Sequence, residues 1–229
     1  MRRCTRGWRW LVPAVAITAA AFARAAADPT QPLAPRMDFE PPAAGSYALQ
    51  RIQRCPHAVL IDASGRTVGL DTLTTGKITL LSFFYSYCTD AWGCPFAYAT
   101  LTGLRQRLLA ERSLAQRVRF VNISFDPGHD SPATLRLYAG RLHADPRFEW
   151  RFLTPRSLRE LLPLLDAFGQ DVAIVTDAQG GPTRVRNHML KMFLVDARGQ
   201  VREIYSLDFL HPQVLLNDIR TLALETGAH

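Results

Sequence analysis

The fold class is recognised from residues 78–95, which read Ile78-Thr-Leu-Leu-Ser-Phe-Phe-Tyr-Ser-Tyr-Cys-Thr-Asp-Ala-Trp-Gly-Cys-Pro95. The first eight residues of this stretch are apolar almost throughout, which predicts a central strand covered on both faces. The proline at the end of the stretch and the apolar residues that follow at helical spacing predict a helix to about Glu111. Cys88 and Cys94 therefore lie in a loop between the carboxyl end of a strand and a helix, where sites form in open α/β sheets.

On both sides of this stretch, short apolar runs alternate with helical patterns. A hairpin is predicted over 57–70, and a second, closing hairpin over 189–205, preceded by a loop at 184–188. The other predicted elements are, in order, a strand at 118–125, a helix capped by Ser131, a strand at 148–153, a helix at 155–168 bent near Pro163 and a terminal helix at 212–224. This order predicts an α/β fold, namely a thioredoxin-like mixed sheet flanked by helices with an added N-terminal β-hairpin.

Length and charge limit the classes of protein to be considered. The chain has 229 residues, of which 48% are hydrophobic and 21% charged, an ordinary globular composition. It carries 27 basic and 20 acidic side chains, but residues 1–27 hold five of the arginines and no acid. The remaining charge is nearly balanced, which argues against a nucleic-acid partner. One thioredoxin-like domain is predicted over 51–227.

Residues 1–27 are typical of an export signal peptide. A basic start precedes the apolar run Trp10–Ala23, and Ala25-Ala-Ala27 fits the small-x-small cleavage rule. The apolar run has 14 residues, whereas a spanning helix needs about 20. We therefore expect a cleaved signal, a Pro-rich linker over 28–50, a periplasmic location and no membrane span in the mature chain. The alternative is an uncleaved anchor in the inner membrane, with the domain facing the periplasm.

The two cysteines of the loop are the strongest chemical signal in the sequence. Cys94 is predicted at a helix N-terminus, where the helix dipole stabilises a thiolate and lowers the thiol pKa. Five intervening residues allow the two sulfurs to come within disulfide or metal-bridging distance. A plain stabilising disulfide is the alternative interpretation of the pair. Cys55 is left over as a third thiol in the mature chain, and we assign it no role.

His188 is the third candidate ligand. In a thioredoxin-like arrangement, the segment Asn187-His188-Met189 comes back beside the cysteine loop. Two thiolates and one imidazole form a soft site of low coordination number, which suits Cu(I) and can hold Cu(II). The alternative is a surface-loop histidine with no ligand role.

Several motifs together resemble the Sco/SenC family: Asp62-Ala-Ser-Gly65, the run 80–85 leading to Cys88, Cys94-Pro95, the run 121–127 with Asp130-Ser-Pro132, and His188 followed by Phe193-Leu-Val-Asp196. The resemblance covers residues 51–224. It implies a thioredoxin-like fold, copper held by Cys88, Cys94 and His188, and assistance in assembling the binuclear copper site of cytochrome c oxidase. Such proteins act as metallochaperones, as thiol-disulfide reductases or as both. The implied partners are the copper-site subunit of the oxidase or another cuproprotein client, and a thiol-redox partner.

The cysteine motif departs from the family pattern in its length. The usual motif has three residues between the cysteines, whereas this chain has five, Thr89–Gly93, which resembles a sub-branch with a longer C-x5-C loop. The longer loop costs only slightly more closure entropy. We expect it to hold the sulfurs less rigidly, which would favour redox cycling over tight retention of metal.

Five further residues near the motifs carry polar or polarisable groups. Asp126 matches a family position near the site, where it either orients a ligand or serves as a turn residue. Tyr85 and Tyr87 flank the cysteine loop and are expected to pack rather than to take part in redox chemistry. Met189 and Met192 offer thioethers, but we expect both in the core.

Two enzyme classes compete with a copper-binding assembly factor that is not a turnover enzyme. A thiol-disulfide oxidoreductase would use Cys88 and Cys94 as its redox-active dithiol. An ordinary thioredoxin is disfavoured, because the C-x-x-C motif is absent and residues 184–188 contain no proline where thioredoxins have their cis-proline. A peroxiredoxin would use Cys88 as its peroxidatic residue, but Tyr85 stands where the threonine of the Thr-x-x-Cys motif belongs.

Overall fold

A computed structural model describes residues 37–225 of the chain, so the predicted signal peptide at 1–27 lies outside the described residues. The helices and strands are, in chain order, β1 (Gln53–Arg54), β2 (Val59–Asp62), β3 (Thr67–Gly69), α1 (Leu70–Leu73), β4 (Ile78–Phe84), α2 (Cys94–Ala110), α3 (Arg112–Gln116), β5 (Val118–Ser124), α4 (Pro132–Ala139), β6 (Glu149–Thr154), α5 (Leu158–Ala167), β7 (Val172–Thr176), β8 (Pro182–His188), β9 (Lys191–Val195), β10 (Gln200–Ser206) and α6 (Pro212–Glu225). Short 3-10 turns lie at Leu142–Ala144 and Leu207–Phe209.

Eight of the strands form one mixed sheet in the order β1-β10-β9-β4-β5-β6-β2-β3. β4, β5 and β6 are parallel to one another, and β9 pairs antiparallel with β4. Every residue of β4 and β5 is buried; helix α6 packs against β4 and α2, and α4 packs against β6. Phe84 pairs with Ser124, so the carboxyl ends of β4 and β5 lie side by side. This end of the sheet carries the cysteine loop.

The central strand, both predicted hairpins and the terminal helix are confirmed, with ends that shift by no more than two residues. β2 and β3 form the N-terminal hairpin, and β9 and β10 form the closing one. Two helices begin at other residues than predicted. α2 begins at Cys94, so the proline is its second residue. α5 begins at Leu158 instead of Pro155, because the Ser157 hydroxyl accepts a hydrogen bond from the Glu160 N–H and caps the helix there.

Residues 184–188 belong to strand β8, so the loop predicted there is wrong. Among the described strands, β8 pairs only with β7, in a separate two-stranded sheet. Residues 173–175 of β7 are exposed, and no buried face imposes the alternation by which strands are recognised in a sequence. His188 is the last residue of β8 and pairs with Val172.

The described part of the predicted linker, residues 37–50, contains no helix or strand. It nevertheless contacts the terminal helix, since the Asn217 side-chain amide donates a hydrogen bond to the Pro42 carbonyl oxygen at 2.8 Å. The rest of the predicted linker lies outside the described residues. No helix within the part of the chain that the structure describes is long and apolar enough to cross a membrane.

Replacement of Leu81 by alanine tests the buried sheet. Leu81 lies in β4 and is fully buried, so Leu81→Ala leaves a cavity, and we expect it to lower the free energy of unfolding by about 3 kcal/mol. The matched control is Leu137→Ala on α4, where the side chain is 84% exposed; we expect a change below about 0.5 kcal/mol. Urea unfolding measures both, and equal effects would show that Leu81 is not a core residue.

Candidate metal centre

The two cysteines of the loop lie side by side where β4 leads into α2. Cys88 follows the end of β4 by four residues and is half-buried, whereas Cys94 is the first residue of α2 and is buried. Each side chain shifts the pKa of the other, which requires the two thiols to be close together. Both are free thiols. The structure therefore brings these two predicted site residues together at a helix N-terminus.

A buried carboxylate anchors the start of the cysteine loop. Asp130 accepts hydrogen bonds from the Ser86 N–H at 3.1 Å and from the hydroxyl groups of Ser86 and Ser124. Because Ser86 follows β4 and Ser124 ends β5, this side chain joins the ends of two parallel strands. The sequence patterns missed this role of Asp130. The available signal was a serine at the end of each apolar strand, since a buried hydroxyl needs a polar partner.

Asp90 shapes the other end of the loop. Its side chain accepts a hydrogen bond from the Trp92 N–H at 3.0 Å, and its carbonyl oxygen accepts one from the Gly93 N–H at 3.0 Å. The Trp92 side chain is 51% exposed, and its ring centroid lies 5.7 Å from that of Phe96. The five-residue spacer therefore contains a hydrogen-bonded turn that leads directly into α2.

The two thiols differ in acidity. The hydrogen bond from Cys94 lowers the pKa of Cys88 to about 5; the Tyr85 hydroxyl and the backbone N–H groups of Cys94 and Asp90 add to this effect, and burial opposes it. The same hydrogen bond, together with burial, raises the pKa of Cys94. The prediction of a lowered pKa for Cys94 is therefore wrong. Cys94 is the buried donor, and Cys88 carries the negative charge.

The imidazole of His188 packs against two aromatic rings, one of which belongs to Tyr85 before the cysteine loop. The centroid of its imidazole is 6.2 Å from that of Tyr85 and 4.7 Å from that of Phe125. Burial lowers the pKa of His188 while the charge of Cys88 acts in the opposite direction, so the imidazole is neutral at pH 7. Within residues 37–225, no group of three or more His, Cys, Asp or Glu side chains lies close enough together to hold a metal ion. The two thiols act on each other, and Tyr85 adjoins both Cys88 and the imidazole.

Asp126 binds the strand that carries His188. Its carboxylate accepts hydrogen bonds from the Tyr87 hydroxyl and from Nη2 of Arg186, the latter at 2.8 Å. Burial and the contact with Asp126 raise the pKa of Tyr87 to about 12. The sequence patterns missed Arg186 because they predicted a loop there. On a strand, residues 186 and 188 share one face, and that spacing was the available signal.

The other tyrosine, methionine and cysteine side chains that the sequence singled out differ in how far they are buried. Tyr85 is buried among aromatic rings. Met192 is buried in β9 as predicted, but Met189 is 64% exposed, so its predicted place in the core is wrong. It follows the exposed strand β8. Cys55 is half-buried beside Thr74, and burial raises its pKa to about 11, which makes it a poor nucleophile at neutral pH.

The fold and the paired thiols define a thioredoxin-like protein with a dithiol site at the start of a helix. The family model described as SCO1/SenC matches residues 55–224. The chain belongs to this family. A SCO1 protein homolog of Bacillus subtilis (strain 168) is 31% identical over 144 residues, which make up 62% of this chain and 68% of that protein.

Solved structures share the fold. The structure of Bradyrhizobium japonicum ScoI with copper bound has a TM-score of 0.58 and 24% identity, over 73% of this chain and 98% of that one. BsSco, described as a member of the Sco family of cytochrome c oxidase assembly proteins with a disulfide switch, has a TM-score of 0.58 and 24% identity, over 77% and 98%. Yeast Sco1 has a TM-score of 0.60 and 20% identity, over 77% and 99%. The predicted thioredoxin-like α/β fold is confirmed.

Alkylation should reveal the thiolate of Cys88. Because its pKa is about 5, its reaction rate with iodoacetamide should rise between about pH 4 and 6 and then level off, since only the thiolate reacts. Tyr85→Phe removes a hydrogen bond to the thiolate and should move the midpoint to higher pH. Cys55→Ser is the control and should leave the profile unchanged, with the modified residue identified by mass spectrometry. A rate that rises only above about pH 8 would contradict the assignment of the charge to Cys88.

Proposed function

We propose that this protein is an exported copper carrier that holds copper through Cys88, Cys94 and His188 and delivers it to a cuproprotein client. The proposed client is the copper-site subunit of a respiratory cytochrome c oxidase. One observation carries the proposal, namely two thiols that shift each other's pKa, one of them ionised at neutral pH, with a neutral imidazole that packs near the adjoining Tyr85 ring.

The chemistry of these three side chains suits copper as a cargo. Thiolate and imidazole are ligands that copper accepts in both of its common oxidation states. Cys88 is already deprotonated at neutral pH, so only Cys94 has to lose a proton when a metal binds, and binding should release about one proton. Cys88 is half-buried, so one side of the thiol pair is accessible to the ligands of a client.

The relatives and the N-terminal sequence support the same function. B. japonicum ScoI was solved with copper bound, and BsSco is described as belonging to a family of cytochrome c oxidase assembly proteins. The pattern of residues 1–27 favours a cleaved signal peptide, and the periplasm is the compartment that we propose. Retention by an uncleaved anchor, facing the periplasm, is the alternative.

Removal of each proposed ligand should weaken copper binding. Anaerobic titration of the reduced protein with Cu(I) should saturate at about one copper per chain, as expected for a single dithiol site. Cys88→Ser and Cys94→Ser should each lower the affinity by more than about 100-fold, because each removes a soft anionic ligand. His143→Ala, in the 3-10 turn that precedes β6, is the control and should bind like the wild type. Tight stoichiometric binding by a variant lacking both thiols would refute the proposed site.

A thiol-disulfide reductase is the second candidate, favoured by the contrast between a half-buried, acidic Cys88 and a buried, protonated Cys94. In this reaction the Cys88 thiolate attacks a client disulfide, forms a mixed disulfide and displaces one client thiolate. Cys94 then attacks the Cys88 sulfur and displaces the second client sulfur, which takes up the proton that Cys94 loses. The client disulfide gains two electrons, and the Cys88–Cys94 pair is oxidised to a disulfide.

His188→Ala distinguishes the two functions, because it removes the imidazole and leaves both thiols in place. If copper delivery is the function, this variant should bind copper at least about tenfold more weakly and should fail to mature the oxidase in cells. Its reduction of a model disulfide should keep the wild-type rate, since that attack needs only an accessible thiolate. Oxidase maturation that persists in the variant would favour the reductase. Unchanged copper affinity and an unchanged Cu(II) spectrum would remove His188 from the site.

A further inference from the structure

Arg186 attaches the β7–β8 hairpin to the end of the main sheet. Its side chain is 17% exposed and donates a hydrogen bond from Nη2 to Oδ2 of Asp126 at 2.8 Å. Asp126 is itself held in place, because its N–H donates to the Ser124 hydroxyl at 3.0 Å and its carboxylate accepts the Tyr87 hydroxyl. The hairpin is therefore attached to a fixed point at the end of β5.

The point to which Arg186 is attached also adjoins the aromatic rings on the side of the thiols. The Tyr87 ring, whose hydroxyl donates to Asp126, lies 4.8 Å from the Tyr85 ring, and the Tyr85 ring lies 6.2 Å from the His188 imidazole. Arg186 therefore holds β8 where this strand meets the aromatic cluster that precedes the cysteine pair. His188 follows two residues later, about 7 Å along the strand and on the same face.

The orientation of the β7–β8 hairpin depends on side-chain hydrogen bonds such as the one between Arg186 and Asp126. Among the strands that the structure describes, β7 and β8 pair only with each other. Ala173, Val175 and Val185 on the hairpin are exposed, so no other element within residues 37–225 covers them. At the base of the hairpin, the Gln170 side-chain amide donates to the Met189 carbonyl oxygen at 2.9 Å. This bond holds the chain where it leaves β8, and Arg186 holds the strand before that point.

We propose that Arg186 is a positioning residue for the copper site, which keeps His188 close to the thiol pair by holding β8 against Asp126. The inference rests on the proposed copper function and adds to it a residue that does not contact the metal. A third ligand on a freely moving hairpin would be near the thiols for only a fraction of the time, and its contribution to affinity falls with that fraction. Replacing a residue that orients a metal ligand typically weakens metal binding about 10- to 100-fold.

Replacement of Arg186 by glutamine removes the charge and the guanidinium fork. We expect copper to dissociate about tenfold faster from Arg186→Gln in competition with a chelator, and the imidazole nitrogen signal in the EPR spectrum of the Cu(II) form to weaken. Arg186→Lys keeps the charge and should recover part of the affinity. Arg151→Gln is the matched control, since Arg151 also lies on a strand of the fold and pairs with Glu149 at 3.1 Å, and it should behave like the wild type.

A double-mutant cycle with His188→Ala tests whether Arg186 acts through His188. If it does, Arg186→Gln should cause no further loss of copper affinity once the imidazole is absent. Partial recovery by Arg186→Lys together with this non-additivity would support the positioning role. Equal losses in the wild-type and His188→Ala backgrounds would overturn it, because they would indicate a general structural effect.

Hydrogen exchange of the metal-free protein separates this inference from the proposed copper function. Arg186→Gln should speed exchange of the β8 amides about tenfold and leave the β5 amides unchanged, because only the hairpin loses a contact. Unchanged β8 exchange would show that Arg186 does not hold the hairpin, even if His188 binds copper. Normal copper binding by His188→Ala would rule out His188 as a copper ligand. Faster β8 exchange in Arg186→Gln would still show that Arg186 holds the hairpin.

Discussion

A buried carboxylate holds together the two strand ends on which the candidate site is built. Asp130 is fully buried, and a polar group in that position needs hydrogen-bond partners. Ser86, Ser124 and the neighbouring His129, whose ring nitrogen lies at 3.1 Å, supply them. Because Ser86 precedes the cysteine loop and Ser124 ends β5, this set of contacts fixes where the thiols lie relative to Asp126.

The unequal surroundings of the two thiols determine what the pair can do. Cys94 is buried in the first turn of α2 and donates its proton to a hydrogen bond, so the negative charge lies on the more accessible sulfur of Cys88. An accessible thiolate is what both copper binding and attack on a disulfide require. The two proposed functions therefore begin from the same state of the protein, and they differ in whether the imidazole of His188 takes part.

The element that carries this imidazole lies outside the main sheet. A two-stranded hairpin held by side-chain contacts opens at a lower free energy than a strand in the middle of an eight-stranded sheet. In the proposed transfer of copper to a client, movement of this hairpin would disturb the contacts of Arg186 with Asp126 and of Gln170 with Met189. The buried strands β4 and β5, which carry the cysteine loop, would keep their positions.

The central strands and the position of the thiol pair follow from local sequence, because apolar patterning reports burial directly and the pair lies within one strand-loop-helix segment. Which thiol carries the charge depends on the tertiary structure, since packing buries Cys94 and leaves Cys88 half-buried. The tertiary structure also decided that His188 lies on a strand, because an exposed hairpin shows no alternation of apolar and polar residues. The contact between Arg186 and Asp126, 60 residues apart, depends on where β8 lies relative to the end of β5. No local sequence pattern predicts that position.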